Sequence, residues 1–330
     1  MDILNEIYED FIGDGENMLR ECVDIKQFKK VMMVFNPNSG RQLFNDRASK
    51  VNEVRHLLRG MLENCTFTEV AIKSFEEVRS IAKRVCDEDF DWVIVAGGDG
   101  TLRAITEVFV ENNKLPYMSV YPMGTVNLVA KELMMPTDPE EWVKKVTAGM
   151  AIPVWLGQAN NRVFMTCAGI GIDSMVIDSI SETEKKYLSK FAYVLQGTEL
   201  VKRELLWKDW QYKFQVMIDD DGIWRDAASV IVAKSRYYAG WFSLADGASL
   251  SSPKLHVCLF RGVNKLNLLK YLALIATDAL ATDNSVEIVE AQRVEIKCNT
   301  EKFAAELDGD CLVSSPLSIS LIPSPIKFIS

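Results

Sequence analysis

The sequence predicts a doubly wound α/β domain over residues 30–152 followed by an antiparallel β-sandwich over residues 153–317. Three observations predict it. Short continuous apolar runs alternate with segments of three-and-four spacing through the first half, the second half reads largely in period two, and 330 residues suit two domains of roughly 100–200 residues each. Residues 1–29 read as an N-terminal extension, and the last residues, from about 318 to 330, are able to return to the first domain.

Val31-Met32-Met33-Val34-Phe35 is a continuous apolar run closed by Asn36-Pro37, the pattern of a strand buried on both faces of a parallel sheet. Phe44, Ala48, Val51, Val54 and Leu58 then recur at helical spacing, with Gly60 as a stop. Phe67 to Ile72 predicts a second strand, and Phe75, Val78, Ile81 and Val85 a second helix. Trp92 to Ala96 is the clearest strand, broken by Gly97-Gly98-Asp99-Gly100-Thr101 and followed by a helix with Leu102, Ile105, Val108 and Phe109 inward. Met118 to Tyr121 and a helix bearing Val126, Val129, Ala130 and Leu133 repeat the unit.

Beyond it, Val154 to Ala159 and Val163 to Cys167 read as strands flanking an Asn160-Asn161 turn. Tyr212, Phe214, Val216 and Ile218 alternate into Asp219-Asp220-Asp221-Gly222, which predicts a hairpin with a returning strand at Ala228 to Ala233. Strands follow at Leu255 to Phe260, Val286 to Val289 and Val294 to Cys298, with helices at Lys186 to Arg203 and Leu266 to Ala281.

Charge excludes some functions. A balance of 37 basic and 46 acidic residues, net -9, disfavours a protein that grips nucleic acid by its phosphates. Seven scattered cysteines without a C-x-x-C pair argue against a zinc site or disulfide framework and fit a reducing, cytoplasmic setting. Met1 to Arg20 is acidic and lacks the order of a signal peptide. No run approaches the ~18 apolar residues of a membrane span, so a membrane is met from outside, as a peripheral surface. Nothing in the sequence indicates an oligomer.

Ligands of open α/β sheets bind beyond the carboxyl ends of the strands. Three predicted strands end there in loops of small and polar residues: Asn36-Pro37-Asn38-Ser39-Gly40, Gly97 to Thr101, and Pro122 to Asn127 with Gly124 and Thr125. Glycines admit an anion to backbone N–H groups, and the helix behind each loop adds partial positive charge, so the loops read as a phosphate cradle. Asp99 would repel a phosphate unless a cation lies between, which points to Mg²⁺ and a metal-nucleotide. Gly13-Asp14-Gly15, the same triplet with no buried strand before it, is assigned no function.

N-P-x-S-G at Asn36 to Gly40, G-G-D-G-T at Gly97 to Thr101, G-T-x-N-x-x-A at Gly124 to Ala130 and D-G-D at Asp308 to Asp310 resemble the diacylglycerol kinase catalytic-domain family. A-G-I-G-I-D at Ala168 to Asp173 and S-R-Y-Y-A-G at Ser235 to Gly240 extend the likeness from about Lys30 to the C-terminus. The resemblance implies ATP-dependent phosphorylation of a lipid hydroxyl in a cleft between the domains. Diacylglycerol is the default acceptor, ahead of a sphingoid base or another glycerolipid. It implies ATP contacts at Asn36, Pro37, Asn38, Ser39, Gly40, Gly97, Gly98, Gly100, Thr101, Leu102, Gly124, Thr125 and Asn127, with Asp99 at Mg²⁺ and in catalysis. Ser74 is the nearest match to a further nucleotide-contacting threonine. Asp310 stands where the family's late D-G-E motif has its glutamate base; it is one methylene shorter, and Asp308 and Glu306 stand as alternatives.

Departures from the pattern are Arg103-Ala104, where the family continues Asn-Glu, and Ser252-Pro253, where an Asp-Gly helps to hold a second, structural Mg²⁺. Arg103 reads either as a phosphate contact or as a solvated helix residue. Trp207, Trp210, Trp224 and Trp241 offer an acyl-chain or membrane surface, and Lys202, Arg203 and Lys208 a basic edge, beside the reading of ordinary core and surface residues. His56 and His256 read as structural. An enzyme acting on NAD, which would share G-G-D-G-T, and a silent nucleotide- or lipid-binding module are the alternative functions.

Overall fold

The computed structural model describes residues 20–35, 47–62, 64–171, 214–240, 242–262, 264–298, 304–313 and 316–330. Asn36 to Gly40, the expected helix at 186–203 with its basic residues, Trp207, Trp210 and Trp241 lie outside them.

The first domain is one seven-stranded sheet with helices around it. In chain order its parts are β1 (Glu21–Cys22), β2 (Lys30–Phe35), α1 (Arg47–Met61), β3 (Thr66–Ala71), α2 (Phe75–Asp87), β4 (Trp92–Gly97), α3 (Asp99–Glu111), β5 (Tyr117–Pro122), α4 (Leu128–Glu132), α5 (Pro139–Thr147) and β6 (Met150–Val154). β3, β2, β4 and β5 run parallel in that spatial order, and every residue of β4 is buried, as a strand covered on both faces requires. Residues 21–28 pack onto the first domain: β1 pairs with β6, and Ile25 and Phe28 enter the core.

The second domain packs two six-stranded antiparallel sheets face to face. β7 (Gly157–Ala159), β8 (Arg162–Phe164), β9 (Cys167–Ile170), β10 (Phe214–Ile218), β11 (Arg225–Ala227), β12 (Ser229–Ala233), β13 (Leu255–Phe260), α6 (Lys265–Ala276), β14 (Val286–Ala291), β15 (Arg293–Cys298), β16 (Ala304–Leu307), β17 (Asp310–Val313) and β18 (Leu317–Leu321) follow. One sheet has the order β11-β10-β15-β18-β7-β8 and the other β14-β13-β12-β9-β16-β17. Phe164, Phe214, Val216, Val230, Val257, Ile296 and Ile319 fill the layer between them. α6 lies over a separate apolar cluster with Phe260, Cys258, Tyr271 and Leu244.

Three expectations need correction. The strand expected at Val154 to Ala159 is divided, because Val154 ends β6 in the first sheet and Gly157 starts β7 in the sandwich. β10 does not pair with the strand at 229–233; it pairs with β11, Phe214 opposite Ala227, and the chain then changes sheet at Ala228. The return to the first domain begins later than residue 318. β18 belongs to the sandwich, and only the final strand, β19 (Ile326–Ile329), enters the first sheet, between β5 and β6. Ser119 Oγ fixes that strand by donating to the Ile329 carbonyl at 2.7 Å, while Trp92 Nε1 donates to the same hydroxyl at 3.1 Å.

Candidate functional site

The parallel register brings the expected loops to one edge. Phe35 is opposite Ala71 and Ala96, and Gly97 is opposite Pro122, so the chain leaves β3, β2, β4 and β5 on the same side. Ser74 occupies the cap position of α2 on that edge in an extended conformation and makes no side-chain cap bond.

Gly98 and Gly124 meet backbone to backbone. A Cβ on Gly124 would stand 2.6 Å from the Gly98 Cα, and one on Gly98 would stand 3.0 Å from the Gly124 Cα. Met123 N donates to Gly97 O at 3.0 Å, which pins the two loops together. Asn127 closes the second loop from a left-handed conformation (φ 55°, ψ 55°): its Oδ1 accepts from Gly124 N at 2.8 Å and its Nδ2 donates to Gly124 O at 3.0 Å. Thr125 is exposed beside it. The first turn of α3 has no side-chain cap, which leaves its N-terminal end available to an anion. The Leu102 side chain is part of the core, and its amide donates to Gly98 O at 3.1 Å.

Asp99 opens α3 and reaches across to α4. Its Oδ2 accepts from Leu128 N at 2.9 Å and its Oδ1 from Val129 N at 3.2 Å, so it caps the neighbouring helix. Burial pushes its carboxyl above the usual range and the nearby charge of Asp308 adds to this, against the two amides and Lys131.

Asp308 comes from the sandwich. Asp308 (φ 50°) and Gly309 (φ 89°) form the two-residue turn between β16 and β17, with Leu307 opposite Asp310. The Asp308 carboxylate turns back onto residues 165–167: Oδ2 accepts from Met165 N at 2.8 Å, and Oδ1 from Thr166 N at 2.7 Å, Thr166 Oγ1 at 2.6 Å and Cys167 N at 3.1 Å. Burial raises its carboxyl too, opposed by these donors and by the charge of Arg103. Arg103 is therefore not a solvated helix residue; it is buried at 3% exposure in the domain junction. Glu306, also buried, accepts from Gly309 N at 2.7 Å and holds the turn. Asp310 begins β17 immediately after that turn.

Two carboxylates that the sequence reading missed, buried Glu107 and half-buried Glu132, join the domains. Glu107 on α3 accepts from Arg162 Nε at 2.7 Å and Val163 N at 3.2 Å, both on β8. Glu132 on α4 accepts from Ser235 Oγ at 2.6 Å, Arg236 N at 2.8 Å and Leu250 N. Burial raises the Glu132 carboxyl, while those donors and the charge of Lys234 lower it. Lys234, fully buried, donates to Ser249 O. S-R-Y-Y-A-G and the A-x-L of residues 248–250 thus supply partners for α4; the only sequence signal was an acidic residue next to G-T-x-N-x-x-A.

Among the described residues no three His, Cys, Asp or Glu side chains cluster to hold a metal, and Ser252, which stands in place of the acidic residue of the resembled pattern, is buried. No helix among them is long and apolar enough to cross a membrane. Cys167 Sγ lies 3.5 Å from Glu306 Oε1, in a buried, structural contact. Trp224 packs under Lys297, whose Nζ is 4.0 Å from the ring centroid.

A glycine-lined edge of a parallel sheet, joined to an antiparallel β-sandwich through the carboxylates of Glu107 and Glu132, defines a two-domain α/β protein. The diacylglycerol kinase catalytic domain matches residues 30–159, and the YegS C-terminal NAD kinase beta sandwich-like domain matches residues 166–330. The chain belongs to the diacylglycerol kinase catalytic-domain family, a family of lipid kinases. A diacylglycerol kinase of Bacillus subtilis (strain 168) is 25% identical over 285 residues, covering 86% of this chain and 90% of that one. One of Staphylococcus carnosus (strain TM300) is 31% identical over 173 residues, 52% of this chain and 55% of that one, so the match spans about half its length. Among solved structures, a Bacillus anthracis str. Sterne chain gives a TM-score of 0.76 at 21% identity over 97% of this chain and 98% of its own. A diacylglycerol kinase structure from the same organism gives 0.70 at 19% over 92% and 97%. These likenesses bear out the α/β-plus-sandwich expectation.

Proposed function

We propose that this chain is an ATP-dependent lipid kinase that uses Mg²⁺ and phosphorylates a lipid hydroxyl, diacylglycerol being the first acceptor to test. One observation carries the reading: the fold sets the glycine edge with Asp99 beside the Asp308 turn of the sandwich, close enough for the Asp308 charge to raise the Asp99 carboxyl. The residues fit a metal-nucleotide. Gly98 and Gly124 let the two loops close backbone to backbone beside the first turn of α3, and each Asp99 oxygen takes only one amide, leaving lone pairs for a cation. Asp99 would hold Mg²⁺, which would offset the negative charge of the phosphates.

Gly97 to Thr101, with Gly124, Thr125 and Asn127, orient the phosphates in this reading, and Ser74 and Asn36 to Gly40 border them. The acceptor oxygen bonds to the γ-phosphorus as the bond to the bridging oxygen breaks and ADP leaves. The acceptor's proton passes to a carboxylate, for which Asp310 is the candidate. Asp308 and Glu306 are weaker candidates because backbone amides already occupy them. A lipid acceptor makes a peripheral membrane surface, approached from the cytoplasmic side, the place of action.

The test is transfer of labelled γ-phosphate from Mg-ATP to vesicle-borne lipids and NAD, with Asp99→Ala and Asp310→Asn as comparisons. Labelled phospholipid from wild type and from neither variant supports the proposal and names the acceptor. Labelled NADP, or nucleotide binding with no product, overturns it in favour of the NAD-directed enzyme or the silent module.

A further inference from the structure

α4 has only five residues, too short to hold its own direction, so its orientation depends on what grips its ends. At the N-terminal end are Asp99, through the Leu128 and Val129 amides, and the Asn127 loop. One turn on, about 6 Å along the axis at 1.5 Å per residue, Glu132 binds Ser235 Oγ, Arg236 N and Leu250 N of the sandwich. Lys131 Nζ adds a bond to Gly240 O at 3.1 Å, and Lys145 Nζ grips the exit through Leu133 O and Met134 O, both at 2.9 Å.

We infer that Glu132 is a positioning residue: it clamps α4 to the sandwich loops and, through α4, sets Asp99 and the Gly124 loop against the acceptor side. Its kinetic consequence rests on the lipid-kinase reading; its structural consequence does not. The carboxylate suits this task because it is acceptor-only and meets three donors at once, two of them backbone amides that no rotamer can turn away. Glutamine keeps the size and one oxygen, but brings an NH₂ to a place lined with donors. The clamp then loosens at one point while the helix and the core stay as they are.

The experiment compares wild type, Glu132→Gln, Ser235→Ala and the double variant by steady-state kinetics and by hydrogen exchange of the full chain. In Glu132→Gln, kcat is expected to fall about tenfold or more with the nucleotide KM changed by less than about threefold, since misplacement of about 1 Å is costly for transfer. Exchange is expected to rise both in residues 235–250 and, across the junction, in residues 97–102 and 127–129. Ser235→Ala should do the same in smaller measure, and the double variant should cost less than the sum. A folded Glu132→Gln with unchanged kcat, or with faster exchange confined to 235–250, overturns the inference. If wild type transfers phosphate to no acceptor the kinase reading falls, and the exchange pattern alone then decides the positioning role.

Discussion

The Cα of Gly98 lies where a Cβ on Gly124 would come within 2.6 Å of it, so the two loops touch through their backbones. Gly124→Ala must push them apart, at a cost of about 1–3 kcal/mol of stability and on the order of tenfold in nucleotide affinity. Gly100 offers the control, because a Cβ there meets nothing within 4 Å. Gly100→Ala should change the stability of the ligand-free protein by no more than about 1 kcal/mol and still weaken Mg-ATP if phosphates seat on the first turn of α3. Denaturant unfolding and nucleotide titration of both variants check the pair.

Asp99 carries a pH signature. Its folded carboxyl is raised above the ordinary 3.8, first by burial, so the folded state keeps a proton over a window in which the unfolded chain has lost it. Stability contributed by that proton is complete below 3.8 and is lost as pH rises through the folded value. Asp99→Asn removes the dependence. The stability of wild type minus that of the variant should fall as pH rises above the ordinary 3.8 in urea unfolding. Mg-ATP should raise the Tm of wild type and leave that of Asp99→Asn nearly unmoved. A difference that is flat with pH would contradict the burial of the carboxyl.

What could be read from the residues beforehand, and what could not, divides along physical lines. β2 and β4 were legible because strands covered on both faces are continuous apolar runs, and the parallel order then brings their loops to one edge. Pairing in the sandwich was less so, because alternation in β10 tells which residues face inward and not which strand lies alongside. The Asp308-Gly309 turn carries the D-G signal of a tight hairpin, which its place in a motif obscured. Glu107 and Glu132 were illegible for a deeper reason. α3 was expected to bury one stripe, yet Arg103, Thr106 and Glu107 are buried as well because the sandwich covers its other side. A charge at a domain junction has meaning only after the domains meet.

Glu107 makes that junction testable. Arg162 and Arg79, its cationic partners, are 44% and 54% exposed, so solvent weakens both ion pairs, whereas the Val163 amide is buried. Arg162→Met should therefore cost less than about 1 kcal/mol. Glu107→Leu, which strands the Val163 N–H, should cost about 1–3 kcal/mol. Equal losses in urea unfolding would show that the pairing of charges, and not the buried amide, governs this contact.

Lys145 gives a second pH window, of the same origin and the opposite direction. Burial, helped by the charge of Arg20, holds its ammonium at about 8 against an ordinary 10.5. A depressed folded value means that the folded state releases its proton first, so the stability it contributes is complete above 10.5 and lost as pH falls through about 8. Relative to Lys145→Met, wild type should gain stability as pH rises from about 8 to 10.5. Unfolding followed in parallel for the two proteins isolates this group from the others that titrate there.

Two variants separate the candidate proton acceptors Asp308 and Asp310. Asp308 accepts from three amides and a hydroxyl, which marks it as the carboxylate that fixes the β16–β17 turn against residues 165–167. Asparagine at 308 keeps the left-handed turn conformation, since Asn-Gly serves such hairpins as well as Asp-Gly. Any loss in Asp308→Asn then reports the carboxylate alone, and should amount to about 2 kcal/mol or more of stability, the size expected for bonds to a buried charged acceptor. Asp310→Asn should leave the Tm within a few degrees of wild type and lower kcat by on the order of a hundredfold, the usual contribution of a general base. The rate lost in Asp310→Asn should fade at high pH, where the acceptor hydroxyl gives up its proton more readily. If Asp308→Asn loses turnover at unchanged stability and Asp310→Asn does not, the base is Asp308, and the turn presents its carboxylate to the acceptor.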